Sequence, residues 1–533
     1  MNNDLNWFKN ALIYQVYPRS FADSNNDGVG DLIGITKKLD YLESLSINAL
    51  WLCPIYESPM VDFGYDVWDF YNIDPTFGTL KDFDVLVKTA HEKNIKVIMD
   101  LVINHTSDQN PWFLASKSSK INPKRDWYIW KDPKPDGSPP NNWQSVFGGS
   151  AWTLDEQSGQ YYLHTFLKEQ PDLNWSNSAV RHVMQDIMRF WLKRGASGFR
   201  IDSACFIDKD PDFKDKVFYE NGAINQMTPL PIDGFGSSFA DYIKLLSAVC
   251  HEFPGSFMTF ESDPYQKQNP MNYLAWYKLI DTSVSAPIYY SMIDATYNWN
   301  AQVFGNYVDT LQNNLPSQAI PVYFYGNHDL PRLTSRIGDD SNKIAAMALI
   351  MLPGIRIIYY GDEIGMRDVI LSKKEIQDAG KDAASGNASR DKARTPMQWS
   401  SDNYVGFSDH KPWLPVDPEY IERNVDTLSV DKNSLLSLYK HLNKLVNYTP
   451  ALTNGHYKSV KNLHPDIFAF KRVKDNQEIL IVLNFSTKIT TFKTPFKFGT
   501  LLASTIIETP VNTINLQEIT LQPHEGWTIE ILN

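Results

Sequence analysis

The stretch Gly198-Phe199-Arg200-Ile201-Asp202 alternates apolar and charged residues with a period of two, the side-chain repeat of a β-strand. Arg200 and Asp202 therefore share one face, and Phe199 and Ile201 the other. Similar short apolar or β-branched runs lie on either side of it in the chain. Leu12-Ile13-Tyr14-Gln15-Val16, Ala49-Leu50-Trp51-Leu52 and Lys96-Val97-Ile98-Met99-Asp100 precede it. Phe257-Met258-Thr259-Phe260-Glu261, Pro287-Ile288-Tyr289-Tyr290, Pro321-Val322-Tyr323-Phe324-Tyr325 and Ile355-Arg356-Ile357-Ile358-Tyr359 follow it. Between these runs, the stretches 35–44, 80–93, 179–193 and 239–251 carry apolar residues at i, i+3 and i+4, the helical repeat. Strand and helix in alternation predict a parallel sheet. Eight such units over more than about 250 residues predict an α/β fold of the (β/α)8 TIM-barrel type, with its site at the C-terminal ends of the strands. An open doubly wound sheet is the alternative.

Two segments break the alternation. The interval between the third and fourth strands is long and rich in Trp, Pro, Asn and Lys, which predicts an inserted domain over 105–175. After residue 440 the runs become short and alternating, as in Ile467-Phe468-Ala469-Phe470-Lys471 and Ile479-Leu480-Ile481-Val482-Leu483, with Asp475-Asn476 at a turn. That pattern predicts an antiparallel C-terminal β-sandwich over 441–533. The barrel then takes 1–104 and 176–440. The 533 residues agree with about three units at roughly 150 residues each.

Bulk composition narrows the function classes. A net charge of −12 lacks the attraction on which non-specific nucleic-acid binding rests, so no nucleic-acid partner is expected. Cys53, Cys205 and Cys250 are odd in number and lack metal-ligand spacing, which predicts neither a disulfide framework nor a zinc site. No membrane-spanning stretch and no basic-then-apolar leader are read from the sequence. A cytoplasmic chain without membrane contact is expected, as a monomer or a weak homo-oligomer.

The chemistry collects at strand ends. Arg200 and Asp202 project from the front of the fourth strand, and a guanidinium beside a carboxylate favours the ionised form that a nucleophile needs. Glu261 closes the fifth strand, His328-Asp329 follows the seventh, and Asp100 closes the third, with Asn104-His105 just beyond. Glycoside hydrolysis needs one ionised carboxylate and one kept protonated, about 5 Å apart where configuration is retained. A buried structural Arg-Asp pair is the plainer reading of Arg200 and Asp202 alone.

Taken together, Asp100-Leu101-Val102-Ile103-Asn104-His105, Gly198-Phe199-Arg200-Ile201-Asp202, Glu261 and Asn327-His328-Asp329 resemble the four ordered motifs of the α-amylase superfamily, glycoside hydrolase family 13. Tyr14-Gln15-Val16-Tyr17-Pro18-Arg19-Ser20-Phe21, Gln170-Pro171-Asp172-Leu173-Asn174 and Arg394-Thr395-Pro396-Met397-Gln398-Trp399 extend the resemblance to its α-glucosidase and oligo-1,6-glucosidase branch. The resemblance implies Asp202 as nucleophile, Glu261 as acid/base and Asp329 as the third, transition-state carboxylate. It also implies Asp62, Tyr65, His105, Arg200, His328 and Arg394 as the residues that hold a terminal glucose, with Tyr65 stacking on the ring. The expected activity is a retaining, exo-acting α-glucosidase on short α-glucosides of the maltose, isomaltose or sucrose class. A transglucosidase or sucrose isomerase would use the same carboxylates, although the Arg-Leu-Asp-Arg-Asp loop of sucrose isomerases is not found between Asp329 and Arg394. A catalytically inactive binding protein on the same barrel is the alternative from a different class.

Some positions depart from that pattern or fall outside it. Ser262-Asp263-Pro264-Tyr265 follows Glu261 where small or apolar residues are usual, and Asp263 is a rival for the acid/base role. Ser203 stands where α-1,6-specific relatives tend to carry Val, which leans toward maltose-type bonds. Asp23, Asn25, Asp27, Val29 and Asp31 place oxygen ligands at alternate positions around Gly28, like the start of an EF-hand loop. Structural calcium is expected there, with magnesium as the alternative ion and an Asx-rich turn as the metal-free reading. No organic cofactor is expected. Trp112, Trp127, Trp130, Trp143 and Trp152 in the insertion are read mainly as packing, with sugar stacking as the alternative.

Overall fold

In the computed structural model, which describes residues 5–216, 236–262, 270–378, 389–461, 463–506 and 513–532, eight short strands carry the expected apolar runs. They are β1 (Leu12–Val16), β2 (Ala49–Leu52), β3 (Lys96–Val102), β4 (Gly198–Asp202), β5 (Phe257–Phe260), β6 (Ser285–Pro287), β7 (Val322–Phe324) and β8 (Ile355–Tyr359). All pair in parallel, in the order β6-β5-β4-β3-β2-β1-β8-β7. A parallel bridge between Ile288 and Val322, with the Tyr289 N–H donating to the Val322 carbonyl at 2.8 Å, joins the two edges. The sheet is thus a closed (β/α)8 barrel rather than an open one. Ile13, Trp51, Ile98, Phe257, Ala286, Val322, Ile355 and Ile357 fill its interior, and the alternate residues pack outward against the helices. With both faces covered, nearly every strand residue is buried, as parallel sheets require.

Two boundaries differ from expectation for local reasons. β3 runs two residues past Asp100. β6 ends at Pro287 instead of beginning there, because the chain turns into a helix, Ser291–Tyr297, directly after Tyr290. The helix expected over 35–44 is two, Leu32–Lys37 and Leu39–Ser44, parted at Lys38, where ψ reaches 5°.

Between β3 and β4 lies a helix, Pro111–Ser118, and a three-stranded antiparallel sheet of Trp130–Lys131, Gln160–Leu163 and Trp152–Asp155. The C-terminal part is antiparallel, in a six-stranded sheet built on Ile467–Lys474, Gln477–Asn484 and Gly526–Leu532 and a two-stranded one of Thr490–Lys493 and Glu518–Leu521. The two sheets enclose Ala469, Leu480, Val482, Phe492, Leu521 and Ile529. The other face of the larger sheet meets the barrel helices through pairs such as Phe304–Phe468. The helix Leu435–Tyr448 runs across the position expected to divide barrel from sandwich.

Candidate active site

β3, β4 and β5 run side by side, with Asp100 opposite Arg200 and Val102 opposite Asp202. The period-two alternation aims Arg200 and Asp202 into the barrel mouth, while Phe199 and Ile201 join the core outside it. Arg200 is a hub. Its Nη1 lies 2.9 Å from Asp100 Oδ1 and 2.6 Å from Asp202 Oδ1, and its Nη2 lies 3.0 Å from Glu261 Oε2. Tyr65 OH (3.0 Å) and Trp51 Nε1 (3.2 Å) donate to the second oxygen of Asp100, which leaves that carboxylate a supporting part with no face on the cavity.

Glu261 sits one residue beyond β5 and accepts from the Ser203 N–H at 2.9 Å and the Tyr290 hydroxyl at 3.0 Å. Ser203 reaches it because its backbone adopts φ 50°, a left-handed conformation that costs a non-glycine residue about 1–3 kcal/mol and is typical of functional sites.

One guanidinium is divided among three carboxylates, and the charge balance shows it. Burial pushes Asp202 up to about 6 against the pull of Arg200, and neighbouring Asp100 adds to the rise. Glu261 is pushed up to about 7, first by burial and then by Asp202 and Asp329, again against Arg200. Near neutral pH the arrangement therefore holds Asp202 largely ionised and Glu261 close to half-protonated.

Asp329 is held the opposite way. Burial works against its charge, but His328, Arg390 and Arg394 outweigh burial and keep the carboxyl well below the usual range. Arg394 Nη2 (3.0 Å) and Arg390 Nη1 (3.1 Å) both donate to Oδ1. Arg394 Nε also donates to the His328 carbonyl at 2.7 Å. The Gln15 side-chain amide donates to His328 Nδ1 at 2.9 Å. That bond leaves Nε2 as the protonated nitrogen, 3.2 Å from Asp329 Oδ2. The ring is stacked between Tyr65 and Tyr17, at centroid distances of 5.3 and 5.8 Å.

Asp62, Tyr65, His105, Asp202, Glu261, His328 and Asp329 line one cavity of about 240 Å³. This is below the roughly 300–1,000 Å³ of sites that enclose drug-sized ligands, so the space suits a single ring better than a chain. Arg200 and Arg394 stand behind the wall, almost fully buried, and act on it through the carboxylates they hold. Burial lowers His105 to about 4 and His328 to about 3, so both are neutral hydrogen-bonding groups near pH 7. His105 Nδ1 accepts from the Asn104 amide at 3.2 Å and its Nε2 donates to the Tyr65 carbonyl at 3.1 Å, while the Gln170 amide donates to Asp62 Oδ2 at 3.1 Å. Asp263 lies outside the described residues.

Several lining residues have no forerunner in the sequence reading. Arg390 is the most connected. Its Nη2 donates to Asp62 Oδ1 at 2.8 Å and to Asp378 Oδ1 at 2.6 Å, its Nη1 reaches Asp329, and its plane lies 5.1 Å from the Phe147 ring. Phe147, Phe166 and Phe206 supply the aromatic wall instead of the insertion's tryptophans. Trp143 and Trp152 are buried, with their indole N–H groups bonded to the Lys214 carbonyl and to Asn141 Oδ1. Trp112 packs on Trp127, and Trp130 stacks on Phe113. The insertion is pinned to the barrel by buried Lys209, which pairs with Asp172 at 2.7 Å and donates to Asn104 Oδ1 at 2.8 Å.

The loop around Gly28 is a chain of Asx turns. Asp23 Oδ1 accepts from the Asn25 and Asn26 N–H groups, Asn25 Oδ1 from Asp27 N–H, and Asp27 Oδ1 from Val29 N–H. Asp31 caps the helix Leu32–Lys37 by accepting from Gly34 N–H at 2.7 Å. Gly28 has φ +89° and packs so closely on the Lys411 carbonyl that a Cβ would sit 2.3 Å from its oxygen. Among the described residues no three carboxylate, imidazole or thiol groups gather as a metal cluster. The donors of this loop are oxygens only, which suits a hard divalent cation, although each oxygen of Asp23 already accepts two hydrogen bonds.

Comparison with known proteins places this geometry. Residues 15–455 match the family model described as the alpha amylase catalytic domain. The chain is 36% identical to the oligo-1,6-glucosidase of Parageobacillus thermoglucosidasius, over 98% of this chain and 99% of that protein. It is also 36% identical to the trehalose-6-phosphate hydrolase of Bacillus subtilis (strain 168), over 98% of this chain and 97% of that protein. Among solved structures, the trehalulose synthase of Pseudomonas mesoacidophila MX-45 is similar with a TM-score of 0.88 at 32% identity, covering 99% of each chain.

Proposed function

The chain belongs to the α-amylase family of glycoside hydrolases, and from that premise we propose that it is a retaining, exo-acting α-glucosidase that removes terminal glucose from short α-glucosides. Ionised Asp202 attacks the anomeric carbon and forms a covalent glycosyl-enzyme, while Glu261 gives its proton to the departing glycosidic oxygen. Glu261, now ionised, then takes a proton from water, which displaces Asp202 and releases α-glucose. Asp329, the most strongly acidic of the three, stays charged beside the positive sugar of the transition state. Asp62, His105, His328 and Arg390 bond the hydroxyls of the terminal glucose, and Tyr65 packs on its ring.

The observation that carries this reading is the shared guanidinium. Arg200 bonds Asp202 with one terminal nitrogen and Glu261 with the other, which holds the two carboxylates as near neighbours while their environments give them different proton affinities. The small cavity supports an exo-acting mode. It also favours a neutral glucoside over a phosphorylated one. Among the described lining residues, the cationic group is Arg390, already engaged by carboxylates, and both histidines are neutral.

Release of glucose from maltose, isomaltose and sucrose by the wild type, and its loss in Asp202→Asn, tests the proposal. No release from any of the three would overturn it. Conversion of sucrose to an isomeric disaccharide in place of hydrolysis would favour the second reading, glucosyl transfer, which the similarity to a trehalulose synthase keeps in view.

We also propose calcium, with magnesium as the alternative, as a structural ion held by Asp23, Asn25, Asp27, the Val29 carbonyl and Asp31. Cys53, Cys205 and Cys250 are buried and in no disulfide, which supports the cytoplasm as the protein's compartment. Among the described residues, no helix is long and apolar enough to cross a membrane.

A further inference from the structure

Two arginines approach each other on the flank of the barrel through the adjacent carbonyls of Met351 and Leu352, and neither lines the cavity of the catalytic carboxylates. Arg356 lies in β8 and points outward, its neighbours Ile355 and Ile357 facing the barrel interior. Arg472 lies in the C-terminal strand Ile467–Lys474. Their exposures are 2% and 0%. Each guanidinium is held by two main-chain carbonyls. Arg356 donates to Leu352 at 3.3 Å and to Asn10 at 2.5 Å. Arg472 donates to Met351 at 2.9 Å and to Gly455 at 3.3 Å.

Those bonds leave Arg356 Nε and Arg472 Nη2 buried without a hydrogen-bond partner. No carboxylate among the described residues forms an ion pair with either arginine. Their charges oppose each other, and burial together with that repulsion pulls Arg472 down to about 9.

The magnitudes do not balance with protein groups alone. A guanidinium offers five N–H donors, and burying an ion without a counter-charge is strongly unfavourable. Met351 and Leu352 follow the C-terminal end of the helix Asn342–Ile350, which supplies roughly half a unit of negative charge. Two positive charges face it.

We propose that Arg356 and Arg472 together hold a small inorganic anion of the halide class, bound through Arg356 Nε and Arg472 Nη2, at the seam where the C-terminal sheet docks on the barrel. The anion supplies the missing counter-charge and ties the two parts together. A halide fits better than an oxyanion such as phosphate, because both arginines are enclosed and on each only one nitrogen is wholly without a partner.

The test uses the full-length protein and two readouts. The first is thermal unfolding in sodium chloride against sodium gluconate at equal ionic strength. The midpoint is expected to be higher in chloride by roughly 1–3 °C, to saturate with concentration, and to lose that difference in the Arg356→Met/Arg472→Met variant. The second needs no variant, and is anomalous diffraction from wild-type crystals grown in bromide, with a peak expected between the two guanidiniums. A bromide peak together with a chloride-dependent wild-type midpoint supports the site. The absence of either overturns it and leaves the pair to carbonyls and water.

Discussion

Burial pushes both Asp202 and Glu261 up, Glu261 the further because Asp202 and Asp329 add to it, and the proposed chemistry uses the two in opposite states. Asp202 must be ionised, so activity falls as pH drops through about 6. Glu261 must be protonated, so activity falls as pH rises through about 7. The expected kcat/KM profile is a narrow bell centred between them. Glu261→Gln removes the alkaline limb and lowers activity on substrates with poor leaving groups by about 10²–10⁴-fold. A flat profile between pH 5 and 8 would contradict this assignment.

Arg390 offers a second test at this scale. Lysine keeps its charge but not the planar fork that spans Asp62, Asp329 and Asp378. Losing one charge-assisted bond within the protein is worth about 1.5–3 kcal/mol, so Arg390→Lys should lower the unfolding midpoint and, by misplacing Asp62 and Asp329, lower kcat/KM by about 10- to 100-fold. The three carboxylates were legible in the sequence because Asp202 ends a recognisable strand, Glu261 directly follows one and Asp329 lies five residues past a third. Arg390 was not, because it opens a short 3-10 turn, Arg390–Ala393, with neither periodicity nor a strand to announce it. The insertion's tryptophans pack, as expected, while the phenylalanines that line the cavity left no signal in the sequence. Tryptophan's indole N–H ties it into the insertion's own core, so the cavity is left to phenylalanines, which carry no such bond.

At the scale of elements, the site depends on how closely β4 and β5 approach. Gly198 begins β4 opposite Phe257, and a Cβ there would stand 2.0 Å from the Phe257 carbonyl oxygen. Gly198→Ala must therefore part the two strands that present Asp202 and Glu261. Over-packing of this kind costs about 1–3 kcal/mol, occasionally more. The expected result is a clearly lower unfolding midpoint, with activity reduced even at temperatures where the variant is folded. Most elements could be read from periodicity, since a buried parallel strand and an amphipathic helix leave opposite patterns. β6 was displaced because its apolar run continues past Pro287 into the turn at Tyr290, and nothing in the composition marks where pairing stops. The split at Lys38 was equally silent, because the apolar spacing continues across it.

For the whole molecule, the sequence pointed to three parts but could not show how they join. Barrel closure rests on a single bridge, Ile288 to Val322, between residues whose pairing no periodicity encodes. The insertion is fastened by Lys209, whose partner Asp172 belongs to a motif read only as a family resemblance. The proposed calcium loop packs against the Lys411 segment, so the ion would brace distant stretches of chain. Chelation at neutral pH should lower the unfolding midpoint by about 2–5 °C, restored by added calcium. Asp27→Ala should abolish that response, and an unchanged midpoint would leave the loop as a metal-free set of Asx turns.

The central claim, a covalent intermediate on Asp202, is tested most directly by the configuration of the first glucose released, followed by proton NMR before mutarotation. The account predicts α-glucose first, with β-glucose appearing only at the rate of mutarotation. β-Glucose as the initial product would mean single displacement by water, and Asp202 would not be the nucleophile.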